Sequence, residues 1–488
     1  MKRREFLKTT AALATAAPLL QPRKILADVA DIEVNDVHSQ LNPTTVRAIA
    51  TPKNVDELQA IVKKAHDSGH LLSICGARHA MGGQQFGRIT TLIDTTKMNK
   101  IHSVDKTAKT VTLDAGVMWP QLMEYLQKNA PELCIIQKQT GADELTLGGA
   151  LASNIHGRSL TKKPLISDVI SFTLVKPDGN IITCSRDENH DLFKKVIGGY
   201  GLFGAVGTIT LRLGNRIKLR RVVEITTTDK LMEAVSDRVK NGYLYGDFQY
   251  MTDEKHDDFM RRGIFSCYVP VADDTPLSEA SHDLGLKAWQ DLYRLAHLDK
   301  QKAYQVYRDH YLATNGQVYW SDAHQTGIYL KEFNKQFAKE RGEKAGSSLM
   351  LSEVYVPRDK FFESMEKFRA EALKRGMDII YGTVRFIERD DESFLPWAKQ
   401  DYACIIFNLY IVHSDAGIEK AKQDFQALYD IALAAGGSYY LTYHRWARKD
   451  QVLKAYPLLP ELLAEKRRID SREIFQSDWY RHYKTMFT

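Results

Sequence analysis

The chain has 488 residues, 44% apolar and 26% charged, the composition of a folded globular protein of two or three domains at about 100–200 residues each. This excludes a disordered chain, a collagen and a polytopic membrane protein. The five scattered cysteines (Cys75, Cys134, Cys184, Cys267, Cys404) exclude a disulfide framework and signal no metal site. Of the net charge of +6, +5 falls in the first 24 residues, and the near-neutral remainder lacks the clustered basic face that a nucleic-acid partner requires.

In chain order, residues 1–27 read as an export signal: positive charge first, then a run of small and apolar residues from Thr9 to Leu20. The run falls short of the about 20 apolar residues of a membrane span, so no transmembrane anchor is expected. Arg3-Arg4-Glu5-Phe6-Leu7-Lys8 resembles the twin-arginine signal, which implies export to the periplasm or the outer membrane face of a protein folded beforehand, often around a cofactor. The alternative for this stretch is a basic amphipathic helix.

A strand is predicted at Val46–Ala50, then a helix capped by Asn54 and ended by Gly69, with Val55, Leu58, Ile61, Val62 and Ala65 on one face. Leu71–Cys75 is a short strand. Thr91–Asp94 and Val111–Ala115 are further strands, and Pro120–Asn129 is a helix. Val169–Val175 and Ile181–Cys184 form a hairpin around Pro177-Asp178-Gly179-Asn180. A helix at Leu192–Ile197 and a strand at Val206–Leu213 follow. Beyond about 216 glycines thin out and aromatics rise. Strands are predicted at Tyr245–Tyr250, Phe265–Val269, Glu353–Val356, Tyr381–Ile387 and Cys404–Val412, with helices within 277–312, at Lys360–Arg375 and at Gly417–Ala435. The fold class is α+β, with a first domain over 42–215, a second over 216–440, and a segment 441–488 that returns to the first.

Three glycine-bearing segments stand out. Gly199-Tyr200-Gly201-Leu202-Phe203-Gly204 spells the dinucleotide fingerprint, but a helix precedes it and a strand follows, the reverse of a Rossmann turn. The turn Gly76-Ala77-Arg78-His79-Ala80 follows a strand and offers backbone N–H groups suited to a pyrophosphate. His79 within it is either a ligand-facing group or a loop histidine bonded to a backbone carbonyl. Thr146-Leu147-Gly148-Gly149 through Asn154-Ile155-His156-Gly157 combines small residues that permit packing on a flat ligand, or a tightly packed helix start.

In this order the three segments resemble the FAD-binding fold of the vanillyl-alcohol oxidase superfamily, with its two-subdomain PCMH-type domain followed by an α+β cap over an antiparallel sheet. Tyr443-His444-Arg445-Trp446 and Ile474-Phe475-Gln476-Ser477-Asp478-Trp479 resemble the aldonolactone oxidase and alditol oxidase branch. The resemblance implies FAD, held by one covalent bond through His79, with Gly76, Ala77, Arg78 and Ala80 on the pyrophosphate. It places Thr146, Gly148, Gly149, Asn154, His156 and Gly157 along the flavin, and Gly204, Ala205, Val206 and Ile209 near the adenine half. Arg78 and Ala80 stand where the family loop has Gly and Ser. For catalysis the resemblance points to Arg385 and Asn408, with Thr383 replacing the family glutamate. The family lysine falls on Arg448 or Lys449. The implied activity is oxidation of a carbinol on a sugar, an aldonolactone or a polyol, with oxygen, a quinone or a cytochrome as electron acceptor. Alternatives are an enzyme resembling decaprenylphosphoryl-ribose oxidase, acting on a lipid-linked sugar, and a non-catalytic flavin- or carbohydrate-binding protein.

Overall fold

The computed structural model describes residues 32–278, 284–325, 327 and 333–488; the export signal expected over 1–27 lies outside the described residues. The chain first builds a small parallel sheet. β1 (Ala48–Ala50) leads through α1 (Val55–Ser68) to β2 (Leu72–Cys75) and then β3 (Thr91–Asp94), in the order β1-β3-β2. The Asn54 side chain accepts the Glu57 N–H at 2.9 Å and Gly69 closes the helix at φ 70°, a cap worth about 1 kcal/mol. Leu58, Val62 and Ala65 bury the apolar stripe against Val175, Ala205, Ile474 and Phe475. The single strand expected at Val46–Ala50 is divided. Thr44–Val46 pairs with Ile32–Val34, and the chain changes partner at Arg47, whose N–H bonds the Thr90 carbonyl at 2.8 Å.

The second layer is antiparallel, in the order β8-β7-β9-β5-β4. It comprises β4 (Ile101–Asp105), β5 (Thr110–Asp114), β7 (Val169–Val175), β8 (Ile181–Ser185) and β9 (Ala205–Asn215), with β6 (Leu133–Ile135) on the far part of β9. The helices α2 (Trp119–Asn129), α3 (Leu147–Ser153) and α4 (His190–Val196) pack around it. The β7–β8 hairpin has the register Val175↔Ile181 around the predicted turn.

After residue 216 comes one large antiparallel sheet, in the order β13-β10-β12-β11-β15-β16-β14-β17. Its strands are β10 (Lys218–Thr227), β11 (Tyr245–Tyr250), β12 (Arg262–Pro270), β13 (Val318–Trp320), β14 (Ser347–Pro357), β15 (Ile379–Ile387), β16 (Tyr402–Val412) and β17 (Ser438–Tyr439). The helices α5 (Thr228–Lys240), α9 (Phe361–Arg375) and α10 (Asp415–Ala434) lie against it; α6 (Leu286–Leu298) and α7 (Lys300–Ala313) pack on each other beside it, and α8 (Phe333–Glu340) meets β14. The final helices are α11 (Lys449–Ala455), α12 (Leu459–Ile469) and α13 (Asp478–Phe487). Between the last two, the backbone extends the first sheet: Leu72 donates to Ile474 O and accepts from Gln476 N, both at 2.7 Å. Among the described residues no helix is long and apolar enough to cross a membrane.

Candidate active site

A cavity of about 1090 Å³ opens between the two domains, walled by the glycine segments on one side and by the large sheet on the other. The first wall begins where β2 ends. Residues 76–80 all line the cavity. A Cβ on Gly76 would lie 2.0 Å from Thr146 Oγ1, so only glycine lets the first and second segments meet. Arg78 occupies the left-handed region at φ 62°, which costs a non-glycine residue about 1–2 kcal/mol. Its guanidinium turns back to Asp94 at 2.9 Å, so the arginine keeps the backbone shape a glycine would take and ties the loop to β3. Thr146 caps α3, accepting the Gly149 N–H at 3.3 Å. The third segment clasps that helix from outside, with Gly198 and Tyr200 N–H on the Leu151 and Ala152 carbonyls.

The second wall is the inner face of the large sheet. Side chains directly opposite in neighbouring strands share a face. One row runs Gln249, Thr383, Ile406, Glu353; the next Tyr381, Asn408, Leu351; a third Arg385, Cys404, Tyr355. Both amide atoms of Gln249, Thr383 Oγ1, Arg385 Nε and Asn408 Oδ1 are buried without a hydrogen-bond partner, and all four residues line the cavity. Each such atom costs about 1–3 kcal/mol unless a ligand satisfies it. Gln85 Oε1 and Thr140 Oγ1 are in the same position on the opposite wall.

Where the walls meet, His156 Nε2 faces Glu353 Oε1 at 2.6 Å and its Nδ1 lies 3.1 Å from the Gly157 carbonyl. The Tyr355 hydroxyl also donates to Glu353 Oε1, and the Tyr443 hydroxyl to Oε2 at 2.9 Å. Burial alone would raise the Glu353 carboxyl; the His156 ring, the Tyr355 hydroxyl and the nearby Arg385 bring it down to about 2. Cys404 Sγ lies 4.0 Å from His156 Nε2, which gives a His-Cys-Glu group of metal-ligand composition. Both carboxylate oxygens are already engaged by hydrogen-bond donors, and burial pushes the thiol up, away from the thiolate a metal would need. The cluster reads as a closed hydrogen-bond network.

His79, Thr146, Gly148, Gly149, His156, Gly204, Val206, Arg385 and Asn408 line the cavity; Asn154, Gly157, Ala205 and Ile209 do not. Asn154 is instead a bracket. It ends α3 at φ 47°, donates to Asp390 Oδ2 at 2.9 Å, accepts Ile166 N–H on Oδ1 and Trp397 Nε1–H on its carbonyl. Gly157 packs on the Lys138 backbone, and Ala205 and Ile209 are core. Lys449 is exposed on α11 with its ammonium 5.5 Å from the Phe487 ring, and Arg448 pairs with Asp430 and Asp450 at the surface, so neither reaches the cavity. Of the C-terminal motif, Tyr443 joins the Glu353 network while His444 stacks on Trp446 and faces Ser39 Oγ at 3.3 Å. Sequence reasoning missed Glu353, Gln249, Arg158 and Arg221. The available signal for Glu353 was an acid in the alternating apolar series Leu349, Leu351, Glu353, Tyr355.

A family model described as an FAD binding domain matches residues 46–185. Among curated proteins, the mouse (Mus musculus) L-gulonolactone oxidase is 26% identical over 199 residues, 40% of this chain and 43% of that protein. The mitochondrial L-galactono-1,4-lactone dehydrogenase of Arabidopsis thaliana is 28% identical over 210 residues, 42% of this chain and 33% of its own. The D-arabinono-1,4-lactone oxidase of Yarrowia lipolytica is 25% identical over 185 residues, covering 37% and 34%. The matched stretch spans less than half the length of each relative.

Proposed function

Proceeding from a PCMH-type FAD-binding domain followed by a sheet-rich substrate domain, we propose that this chain is an FAD-dependent oxidoreductase that oxidises a CH–OH group of a sugar, aldonolactone or polyol. The observation that carries the reading is the set of unpartnered buried polar atoms on Gln249, Thr383, Arg385 and Asn408, presented by three adjacent strands to the cavity that the glycine loops enclose. Alternating donors and acceptors on a rigid floor suit a polyhydroxylated ligand.

The loop 76–80 and the segment 146–149 would hold the dinucleotide, with His79 as the point of covalent attachment. The flavin, when bound, supplies the hydride acceptor. Thr383 and Asn408 orient substrate hydroxyls. Arg385, its Nε buried without a hydrogen-bond partner, puts a fixed positive charge beside substrate oxygens. Glu353 and His156 hold each other at the junction of the two walls and, through Tyr443, fix that edge of the cavity. The lactone-oxidising names of the three relatives support the substrate class. The twin arginines and the small apolar run after them support export to the periplasm, where oxygen, a quinone or a cytochrome would take the electrons. A second reading, a lipid-linked sugar, is favoured by the apolar recess that Trp289, Leu292 and Tyr293 give the cavity.

The test is anaerobic mixing of the purified holoenzyme with a panel of lactones, polyols and sugars. The visible flavin absorbance bleaches with at least one member; a yellow protein that no member bleaches contradicts oxidation and leaves a flavin carrier. Acid precipitation tests the tether. Colour stays with the pellet in the wild type and leaves it in His79→Ala; colour in the wild-type supernatant refutes the covalent bond.

A further inference from the structure

Away from the glycine loops the cavity runs into a recess bounded by β10, β12, β11 and α7. Arg221 projects into it from β10, opposite Tyr268 of β12. Its Nε donates to Ser266 Oγ at 2.8 Å, and its guanidinium carbon lies 4.1 Å from the Tyr311 ring centroid and 5.7 Å from that of Tyr268. Stacking between rings fixes the guanidinium plane while its terminal N–H groups point outward in that plane, where oxygens are met. Arg158 reaches the same recess two residues after His156. It meets the Asp247 carboxylate at 3.8 Å, and both arginines lie within electrostatic reach of the same Asp247, Tyr268 and Tyr311.

Among the described residues, guanidinium charge around the recess exceeds the carboxylate charge set against it. Lys138 is matched by Asp143 at 2.6 Å, and Glu353 is engaged by His156. Asp247 is left to answer Arg158, while among the described residues Arg221 and Arg385 have no carboxylate within ion-pairing distance. Arg221 and Arg385 are each 8% exposed. Holding surplus guanidinium charge in a buried pocket is expensive unless an anion joins it.

We propose that Arg158 and Arg221 form an oxyanion subsite, so that within the substrate class above the preferred member bears a carboxylate or a phosphate. The inference rests on the oxidoreductase reading above for what happens at the other end of the substrate; the subsite itself concerns binding. The tyrosine ring around it accommodates the carbon next to the charged group, and the oxygens sit in the plane of the Arg221 fork.

The experiment titrates the oxidised holoenzyme, followed by perturbation of the flavin absorbance, with D-gluconate, D-glucuronate, D-glucose 6-phosphate, D-glucose and sorbitol. At least one acid binds about tenfold or more tightly than the neutral compounds, the gain a charge-assisted bidentate contact gives. A preference for the sugar acids assigns a carboxylate, and one for the phosphate ester assigns a phosphate. In Arg221→Gln the acid-to-neutral ratio collapses about tenfold, and Arg221→Lys recovers part of it. Flavin content and melting temperature establish that each variant is folded; if Arg221→Gln does not fold, Arg158→Gln must show the same collapse. Neutral compounds binding the wild type as tightly as acids overturn the proposal, as does a folded, flavin-loaded Arg221→Gln that keeps the preference. The failures separate. If acids bind with the expected ratio and nothing bleaches the flavin, the subsite stands and the oxidation reading falls. If neutral lactones bleach it and bind as well as acids, the reverse holds.

Discussion

At the scale of single residues, the account turns on polar groups that burial has made costly. Glu353 is the clearest. Replacing it with Gln keeps a group that Tyr355 and Tyr443 can bond but removes the charge opposite His156. Breaking one partner of a buried pair costs about 3–5 kcal/mol. Glu353→Gln is therefore expected to lower the melting temperature by several degrees and turnover by more than tenfold, with flavin content retained; wild-type turnover would show that the network does not shape the site. Protons act on the same groups. The Glu353 carboxyl is held at about 2 against its ordinary 4.5, so its contribution to stability is full above pH 4.5 and is lost as pH falls towards 2. Burial drives His297 and His444 down to about 3 and His482 to about 4, from 6.5. Between those values and 6.5 the unfolded chain binds protons that the folded one refuses, so these histidines also withdraw stability as pH falls. A melting curve recorded from pH 7 down to pH 4 should drop steadily, and His444→Gln should flatten the drop; a flat wild-type profile contradicts the buried, neutral histidines.

At the scale of elements, the sheet floor depends on how closely its strands approach. A Cβ on Gly382 of β15 would lie 1.9 Å from Tyr250 Cζ, and Tyr250 in turn donates its hydroxyl to the Ile406 carbonyl of β16 at 2.8 Å. Gly382→Ala must push the ring out of that slot, at about 1–3 kcal/mol for overpacking. It is expected to lower the melting temperature and to weaken sugar binding together, because the same strand carries Thr383 and Arg385; a variant as stable as the wild type would show that the slot is slack. Elements with end signals were legible from sequence. Asn54 and Gly69 delimit α1, and Pro177 to Asn180 delimit the β7–β8 hairpin. Others were not. The helix α3, Leu-Gly-Gly-Ala-Leu-Ala-Ser, was legible only as the alternative of a tightly packed helix start, because it has two poor helix formers and rests on its Thr146 cap and tertiary packing. β10 escaped because one of its inward positions is Arg221, flanked by charged Lys218, Arg220 and Glu224, so its period-two pattern reads as polar. Only the last part of β14 was legible, since Ser348 and Ser352 interrupt one face and Ser347 and Glu353 the other.

At the scale of the whole molecule, the two walls of the cavity differ in how they are written. The first wall comes from contiguous runs, 76–80 and 146–156, whose small residues announce themselves together. The sheet wall takes one or two polar side chains from each of several strands, Arg221, Gln249, Glu353, Thr383, Arg385 and Asn408, positions brought together only by strand register. That is why the glycine-bearing runs along one wall stood out in the sequence, while of the sheet wall only Thr383, Arg385 and Asn408 were read. The convergence of the runs has its own consequence. Gly76→Ala would place a methyl 2.0 Å from Thr146 Oγ1 and force the first two glycine-bearing segments apart. The variant is expected to purify with well under half the wild-type flavin; a fully loaded Gly76→Ala would show that the segments do not hold the cofactor jointly. The most direct measurement of all is the flavin content of the purified wild-type chain, by absorbance spectrum and by digestion of the protein to release the bound nucleotide. The account predicts FAD in equimolar amount with the chain. A colourless protein that takes up no FAD from micromolar solution would contradict it.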